Sequence, residues 1–328
     1  MILTAEQIKR IAKGVEYWEE GLEGGLIPHR FCSAQEEVYR SDEIRFLRTH
    51  ATSGIRLECR TDASALEMSG RAFPGSAKDW VSMDLHVDGF LQGHFETTLA
   101  ESDHFRFCQM LPQGEKTVTL YLPCMTGVEI LEMSLPNATV IETVSYKEKI
   151  LFMGDSITQG YNSHYPSMTY PAQVAAYRDA DYINQAIGGE VFHPEILTFL
   201  DWKPTMAIIA YGTNDWALKD RERLTRDADV FLERFHSLYP ELPTVVMTPI
   251  WRADALTRRD DDFCHVETDG IIKEITVRYP NMKAISGQKL FPKVRELFED
   301  LKIHPTELGF TIYAKRITAA LDKLHPTK

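Results

Sequence analysis

A strand-rich first half, a switch to alternating strands and helices after Lys147, and a length of 328 residues together predict an α/β protein of two domains. Residues 1–147 are expected to form an N-terminal helix followed by an all-β sandwich of jelly-roll type. Residues 148–328 are expected to form a flavodoxin-like, three-layer αβα domain around a five-stranded parallel sheet. Domains usually hold about 100 to 200 residues. A composition of 44% hydrophobic and 10% aromatic residues supplies enough apolar surface for two cores and gives no case for disorder.

At the start of the chain, Thr4-Ala5-Glu6-Gln7 has the pattern of a capping box, in which the hydroxyl and amide side chains satisfy the first free N–H groups of a helix. Ile8, Ile11, Val15 and Trp18 follow at helical spacing, so residues 5–20 are expected to be an amphipathic helix that Gly21, Gly24 and Gly25 stop. From Leu26 to about Val144, short alternating or β-branched segments are separated by Gly, Pro, Asp and Ser. They cover residues 44–47, 54–59, 65–69, 80–87, 93–99, 104–110, 117–122 and 128–135, a spacing that suits antiparallel sheets.

Beyond Lys147, apolar strands at 150–153, 181–184, 206–211, 244–248 and 283–285 alternate with helical stretches at 170–177, 222–239, 266–278 and 305–324. These are parallel β-α-β units, whose active residues gather at the carboxyl ends of the strands.

Charge narrows the possible partners. With 36 basic and 48 acidic residues the net charge is −12, which repels phosphate backbones and anionic lipid headgroups and argues against nucleic acid or a membrane as partner. Charged residues interrupt every apolar run short of the roughly 20 needed to span a bilayer. Met1 to Lys13 lacks the apolar region of a secretion signal, so a soluble, cytoplasmic protein is expected.

Cys32, Cys59, Cys108, Cys124 and Cys264 are too sparse and irregular for a disulfide framework and are expected to be reduced core residues. Among the 11 histidines, His86 and His94 fall in strands and His164 in a loop, without the spacing of a ligand pair. No catalytic metal or other cofactor is expected.

The strand ending at Met153 runs into Gly154-Asp155-Ser156-Ile157-Thr158-Gln159-Gly160, which presents a serine hydroxyl above the sheet edge. The alternative reading is an ordinary turn in which Ser156 caps a helix. A nucleophilic serine also needs a base, a group that orients the base, and donors for the developing oxyanion. Candidates follow in order: Gly188-Gly189 after one strand, Gly212-Thr213-Asn214 after the next, and His304-Pro305 opening the last helix. Trp216 and Trp251, after strand ends, are candidates to line a substrate pocket, with core packing as the alternative.

These four blocks resemble, in order, those of the SGNH (GDSL-type) hydrolase superfamily over roughly residues 148–328. The resemblance implies that Ser156 is the nucleophile and His304 its base. It also implies that the N–H groups of Ser156 and Gly189 and the side-chain amide of Asn214 form the oxyanion hole. Asp155 and Gly188, next to these, are candidate substrate-binding residues.

The family places its aspartate three residues before the histidine, where this chain has Leu301; Asp300 lies four before. Either a one-residue bulge returns Asp300 to the imidazole, or a Ser-His dyad works with a backbone carbonyl orienting His304. The segment 161–171, together with Gly25-Leu26-Ile27-Pro28-His29-Arg30 and Met83-Asp84-Leu85, is similar to a branch that carries an N-terminal β-sandwich domain.

The expected activity is hydrolysis of a short-chain ester, such as an acetyl group on a carbohydrate or small metabolite. The alternatives are a lipase- or thioesterase-like acylhydrolase on longer chains, and an inactive carbohydrate-binding protein.

Overall fold

A computed structural model describes residues 1–255 and 263–325. Thr4 caps α1 (Ala5–Ile11), accepting from the Gln7 N–H, while the Gln7 side chain accepts from the Thr4 N–H. The helix ends at Ala12, so the expected helix to residue 20 is only half present. The chain continues as β1 (Ala12–Lys13), turns left-handed at Gly14 with φ 75°, and enters β2 (Tyr17–Glu20). β2 pairs with β3 (Leu26–His29), placing Trp18 opposite Pro28. Val15 and Trp18 pack against the same core as Ile8 and Ile11. Their spacing therefore reported burial correctly, but the ladder to β3 decided the backbone.

The segment 44–47 is likewise not a strand. It lies in α3 (Glu43–Thr49), which follows α2 (Ser33–Tyr39). Asp42 accepts from the N–H groups of Ile44 and Arg45, satisfying two donors that a new helix leaves open. These helices cover the second domain rather than the sandwich: Phe31 and Tyr39 are buried in its core, with Val38 and Phe46 packed alongside.

β4 (Arg56–Thr61), β5 (Ala65–Pro74), β6 (Trp80–Val87), β7 (Phe90–Thr98), β8 (His104–Met110), β9 (Lys116–Tyr121), β10 (Thr126–Ser134) and β11 (Ile141–Thr143) complete two antiparallel sheets. One has the order β1-β4-β9-β6-β7, with β11 on β4, and the other β2-β3-β10-β5-β8. Alternate residues such as Val81, Met83 and Leu85 of β6 and Leu66 and Met68 of β5 meet in one apolar core. Cys59 belongs to that core, and Cys124 and Cys264 are also buried. Cys108, expected inside, is exposed because it sits on the outward face of edge strand β8, and Cys32 is only partly covered.

The second domain comprises β12 (Glu148–Gly154), α4 (Ser156–Gln159), α5 (Tyr170–Tyr177), β13 (Ala180–Ala186), β14 (Met206–Ala210), α6 (Thr213–Ala217), α7 (Arg221–Leu238), β15 (Thr244–Met247), α8 (Thr268–Thr276), β16 (Met282–Ile285), α9 (Gly287–Leu290) and α10 (Glu307–Leu324). Its five strands are parallel, in the order β13-β12-β14-β15-β16. Leu151 and Met153 point into one apolar layer and Ile150 and Phe152 into the other, the mark of a sheet covered on both faces.

Buried polar groups join the domains. Arg30, 0% exposed, donates to the carbonyls of Ala51, Asn184, Ala186 and Arg48. Burial pushes its guanidinium down to about 9. Arg56 pairs with Asp181 at 2.9 Å, and Asp84 of β6 accepts from the N–H and hydroxyl of Ser167. Among the described residues no helix is long and apolar enough to cross a membrane.

Candidate active site

β12 ends at Gly154, and the chain turns so tightly that a Cβ there would lie 2.2 Å from Thr158 Oγ1 and 3.0 Å from the Ala210 carbonyl oxygen. Asp155 then caps α4, placing Ser156 in its first turn at the sheet edge. Ser156 is 7% exposed, and its Oγ lies 3.0 Å from His304 Nε2. On the far side of the ring, His304 Nδ1 lies 2.8 Å from Asp300 Oδ2. Three side chains from two distant segments therefore form one hydrogen-bonded relay, the geometry by which a base takes a hydroxyl proton.

The extra residue before His304 is absorbed at Leu301, which takes φ 55°. Asp300 Oδ1 accepts from the N–H groups of Lys302, Ile303 and His304, so the loop wraps around the carboxylate. The Glu299 N–H donates to the His304 carbonyl at 2.8 Å and the Thr306 N–H to the Leu297 carbonyl at 2.9 Å, closing the loop at its base. Burial would raise the Asp300 pKa, but the hydrogen bonds from His304 and the loop N–H groups hold it well below the usual carboxylate range. An ionised carboxylate thus faces the imidazole.

Gly189 and Asn214 follow β13 and β14, the two neighbours of β12, so they reach the same sheet edge. Gly189 sits at φ 80°, a conformation that favours glycine. The Asn214 amide donates to the Glu190 carbonyl at 2.9 Å, which ties it to the glycine loop and leaves a second amide hydrogen. The N–H of Ser156, at the start of a helix, has no intrahelical acceptor by position.

The other candidate residues have partners within the protein. Asp155 is 2% exposed and spends its carboxylate on the Ile157 N–H, while burial pushes its pKa up to about 6; it builds the turn. Gly188 donates its N–H to Gln159 Oε1 at 2.7 Å. Trp216 is 1% exposed, donates to the Phe263 carbonyl and carries Arg252 over its ring, so it packs in the core. Trp251 is half-buried against Phe298.

The sequence reading assigned no site role to Tyr161, Lys78 or Arg48. The Tyr161 ring lies 4.6 Å from that of His304, and Lys78 Nζ lies 5.6 Å from the Tyr161 ring. Trp80 stacks on His164 at 4.4 Å. Arg48 of α3 donates to the Gly188 carbonyl. The signal for Arg48 was its spacing of three from Arg45, which matters only on a helix, where such residues share a face.

Among the described residues, His29, Glu36 and His50 bring ligand atoms within 4.8 Å of one another. His29 Nδ1 already bonds Glu36 at 2.8 Å and Tyr17 donates to the other Glu36 oxygen, so these atoms are satisfied within the protein.

Residues 152–312 match the family model of the GDSL-like lipase/acylhydrolase family. No curated protein matches the chain in sequence. Among solved structures, the salicylyl-acyltransferase SsfX3 from a tetracycline biosynthetic pathway aligns with a TM-score of 0.83 at 22% identity, over 97% of this chain and 96% of that one. A family two carbohydrate esterase from Clostridium thermocellum, solved with cellohexaose, aligns with a TM-score of 0.70 at 15% identity, over 95% and 98% of the two chains. The acetyl xylan esterase Est2A from Butyrivibrio proteoclasticus aligns with a TM-score of 0.68 at 14% identity, over 100% and 99%. At these identities the likeness is one of fold, and it extends through both domains.

Proposed function

Because residues 152–312 form a GDSL-like lipase/acylhydrolase domain, we propose that the protein is a serine esterase that cleaves short-chain carboxylic esters through an acyl-enzyme. The observation that carries this reading is the relay from Ser156 through His304 to Asp300, with contacts of 3.0 and 2.8 Å.

In this mechanism His304 Nε2 takes the Ser156 proton as Oγ attacks the ester carbonyl. The N–H groups of Ser156 and Gly189 and the Asn214 amide hold the oxyanion. Collapse of the tetrahedral intermediate breaks the bond to the alcohol oxygen, which takes the proton from His304. Water, deprotonated by His304, then releases the acid and restores the serine. Asp300 keeps the proton on Nδ1 and stabilises the imidazolium that forms at each step.

The acyl group is proposed to be acetyl and the alcohol a carbohydrate or small metabolite. The two carbohydrate-esterase folds that share both domains support this choice over long-chain lipase or thioesterase substrates. Hydrolysis of p-nitrophenyl esters from acetate to decanoate, by wild type and Ser156→Ala, tests both parts. The reading expects activity falling with chain length and lost in Ser156→Ala. A maximum at long chains would overturn the acetyl assignment, and full activity in the variant would overturn the nucleophile. Acetylated xylan and acetylated monosaccharides then test the alcohol.

A further inference from the structure

The loop that carries Gly189 is gripped by a helix of the other domain. Arg45 and Arg48 stand three residues apart on α3 and so share a face. Arg45 Nε lies 3.5 Å from Glu190 Oε1, and Arg48 Nη1 donates to the Gly188 carbonyl. Arg48 also lies over Gly189, where a Cβ would come within 2.9 Å of Nη1. α3 is itself anchored, because the Arg48 carbonyl accepts from the buried Arg30, whose other donors hold Asn184 and Ala186 of β13.

The Gly188 carbonyl and the Gly189 N–H belong to one peptide unit. A cationic donor on the carbonyl oxygen draws electron density toward it and makes the N–H on the other side a stronger donor, since linked hydrogen bonds polarise one another. It also fixes the orientation of a peptide flanked by two glycines, which otherwise rotates with little steric resistance.

Resting on the esterase reading above, we propose that Arg48 is a positioning residue for catalysis. It holds and polarises the Gly188–Gly189 peptide so that the Gly189 N–H is aimed at the oxyanion before substrate arrives. The N-terminal domain then completes the oxyanion hole of the catalytic domain, which is why α3 packs on that domain rather than on the sandwich. Preorganised donors of this kind act on the transition state more than on the bound ester.

The test uses the full chain as wild type, Ser156→Ala, Arg48→Ala, Arg48→Met and Arg48→Lys, each checked for folding by circular dichroism. Deleting an oxyanion donor outright costs about 10²-fold to 10³-fold in kcat. Loosening one should cost less, so Arg48→Ala is expected to lower kcat by about 10-fold to 10²-fold with KM changed less than about threefold. Arg48→Met keeps the aliphatic stem and reads the same effect should the alanine variant not fold. Arg48→Lys restores a cationic donor and is expected to recover most of kcat.

A trifluoromethyl ketone that adds to Ser156 and forms an oxyanion is expected to lose affinity by the same factor as kcat/KM. A folded Arg48→Ala or Arg48→Met enzyme with unchanged kcat, or one whose loss lies in KM alone with unchanged ketone affinity, overturns the inference and leaves the esterase standing. A wild type that neither turns over esters nor binds the ketone overturns both together.

Discussion

Asp300 meets His304 Nδ1 at 2.8 Å although it stands four positions, rather than three, before the histidine. The contact exists because Leu301 swings to φ 55° and three loop N–H groups converge on the other Asp300 oxygen. Replacing the carboxylate by an amide keeps the shape but removes the charge and permits the wrong tautomer. Asp300→Asn is therefore expected to lower kcat by about 10²-fold to 10⁴-fold, measured on p-nitrophenyl acetate. Asp300→Ala at wild-type rate would instead indicate a Ser-His dyad.

The same carboxylate links to stability. Its folded pKa is depressed below the unfolded value of 3.8, so its contribution is present above about pH 4 and is lost as pH falls toward the folded value. Asp300→Asn should lower the unfolding midpoint at pH 7 and lower it by clearly less at pH 2, as thermal denaturation at the two pH values would show.

Leu301 is 52% exposed and owes its place to its backbone rather than its side chain. Leu301→Gly, which tolerates positive φ, is expected to keep kcat within about twofold. Leu301→Val, β-branched at φ 55°, should lose about 1 kcal/mol or more, about 2–4 °C in Tm. Deleting Leu301 removes the bulge and leaves Asp300 three positions before His304, the spacing usual in the family, so the variant is expected to retain most of kcat. Turnover reduced to the level of Asp300→Asn would instead show that the bulge does more than absorb one extra residue.

Asn214 spends one amide hydrogen on the Glu190 carbonyl, which aims the other. Asn214→Ala is expected to cost about 10²-fold to 10³-fold in kcat with a folded protein and little change in KM. Steady-state kinetics with unaltered kcat would remove Asn214 from the oxyanion hole.

Asp215, next in the chain, is buried, and burial pushes its carboxyl up to about 7. A raised acid pKa means that the folded state binds the proton more tightly than the unfolded state. The stability that this provides is full below the unfolded value near 4 and is lost as pH rises through about 7. Asp215→Asn mimics the neutral acid and still accepts from the Phe192 N–H, a contact of 3.1 Å in the wild type. It should raise Tm at pH 8 by at least about 2–4 °C and change it little at pH 4. Thermal scans at the two pH values check this, and an equal shift at both would point to packing rather than charge. Asp155, raised to about 6 in the same way, leaves part of the pH dependence in the variant.

Periodicity and turn chemistry made the catalytic domain legible. The strand before Gly154, the glycines after β13, the amide after β14 and the histidine before α10 were all readable, because parallel strands deliver their carboxyl ends to one edge whatever lies between them. The sandwich strands were readable for the same reason of period. Local patterns failed where a partner decided the backbone: residues 17–20 became a strand once β3 lay alongside, and residues 44–47 became a helix once Asp42 capped it.

By itself, then, the sequence determined the two-domain order, the identity of the four blocks and the presence of a serine, a histidine and two donors at one sheet edge. Only the tertiary structure decided the path from Asp300 to His304 and the grip of Arg48 on the Gly188–Gly189 peptide. Both depend on a backbone turn or a contact between residues more than 100 positions apart, and spacing along a chain carries no record of which distant carbonyl a side chain will reach.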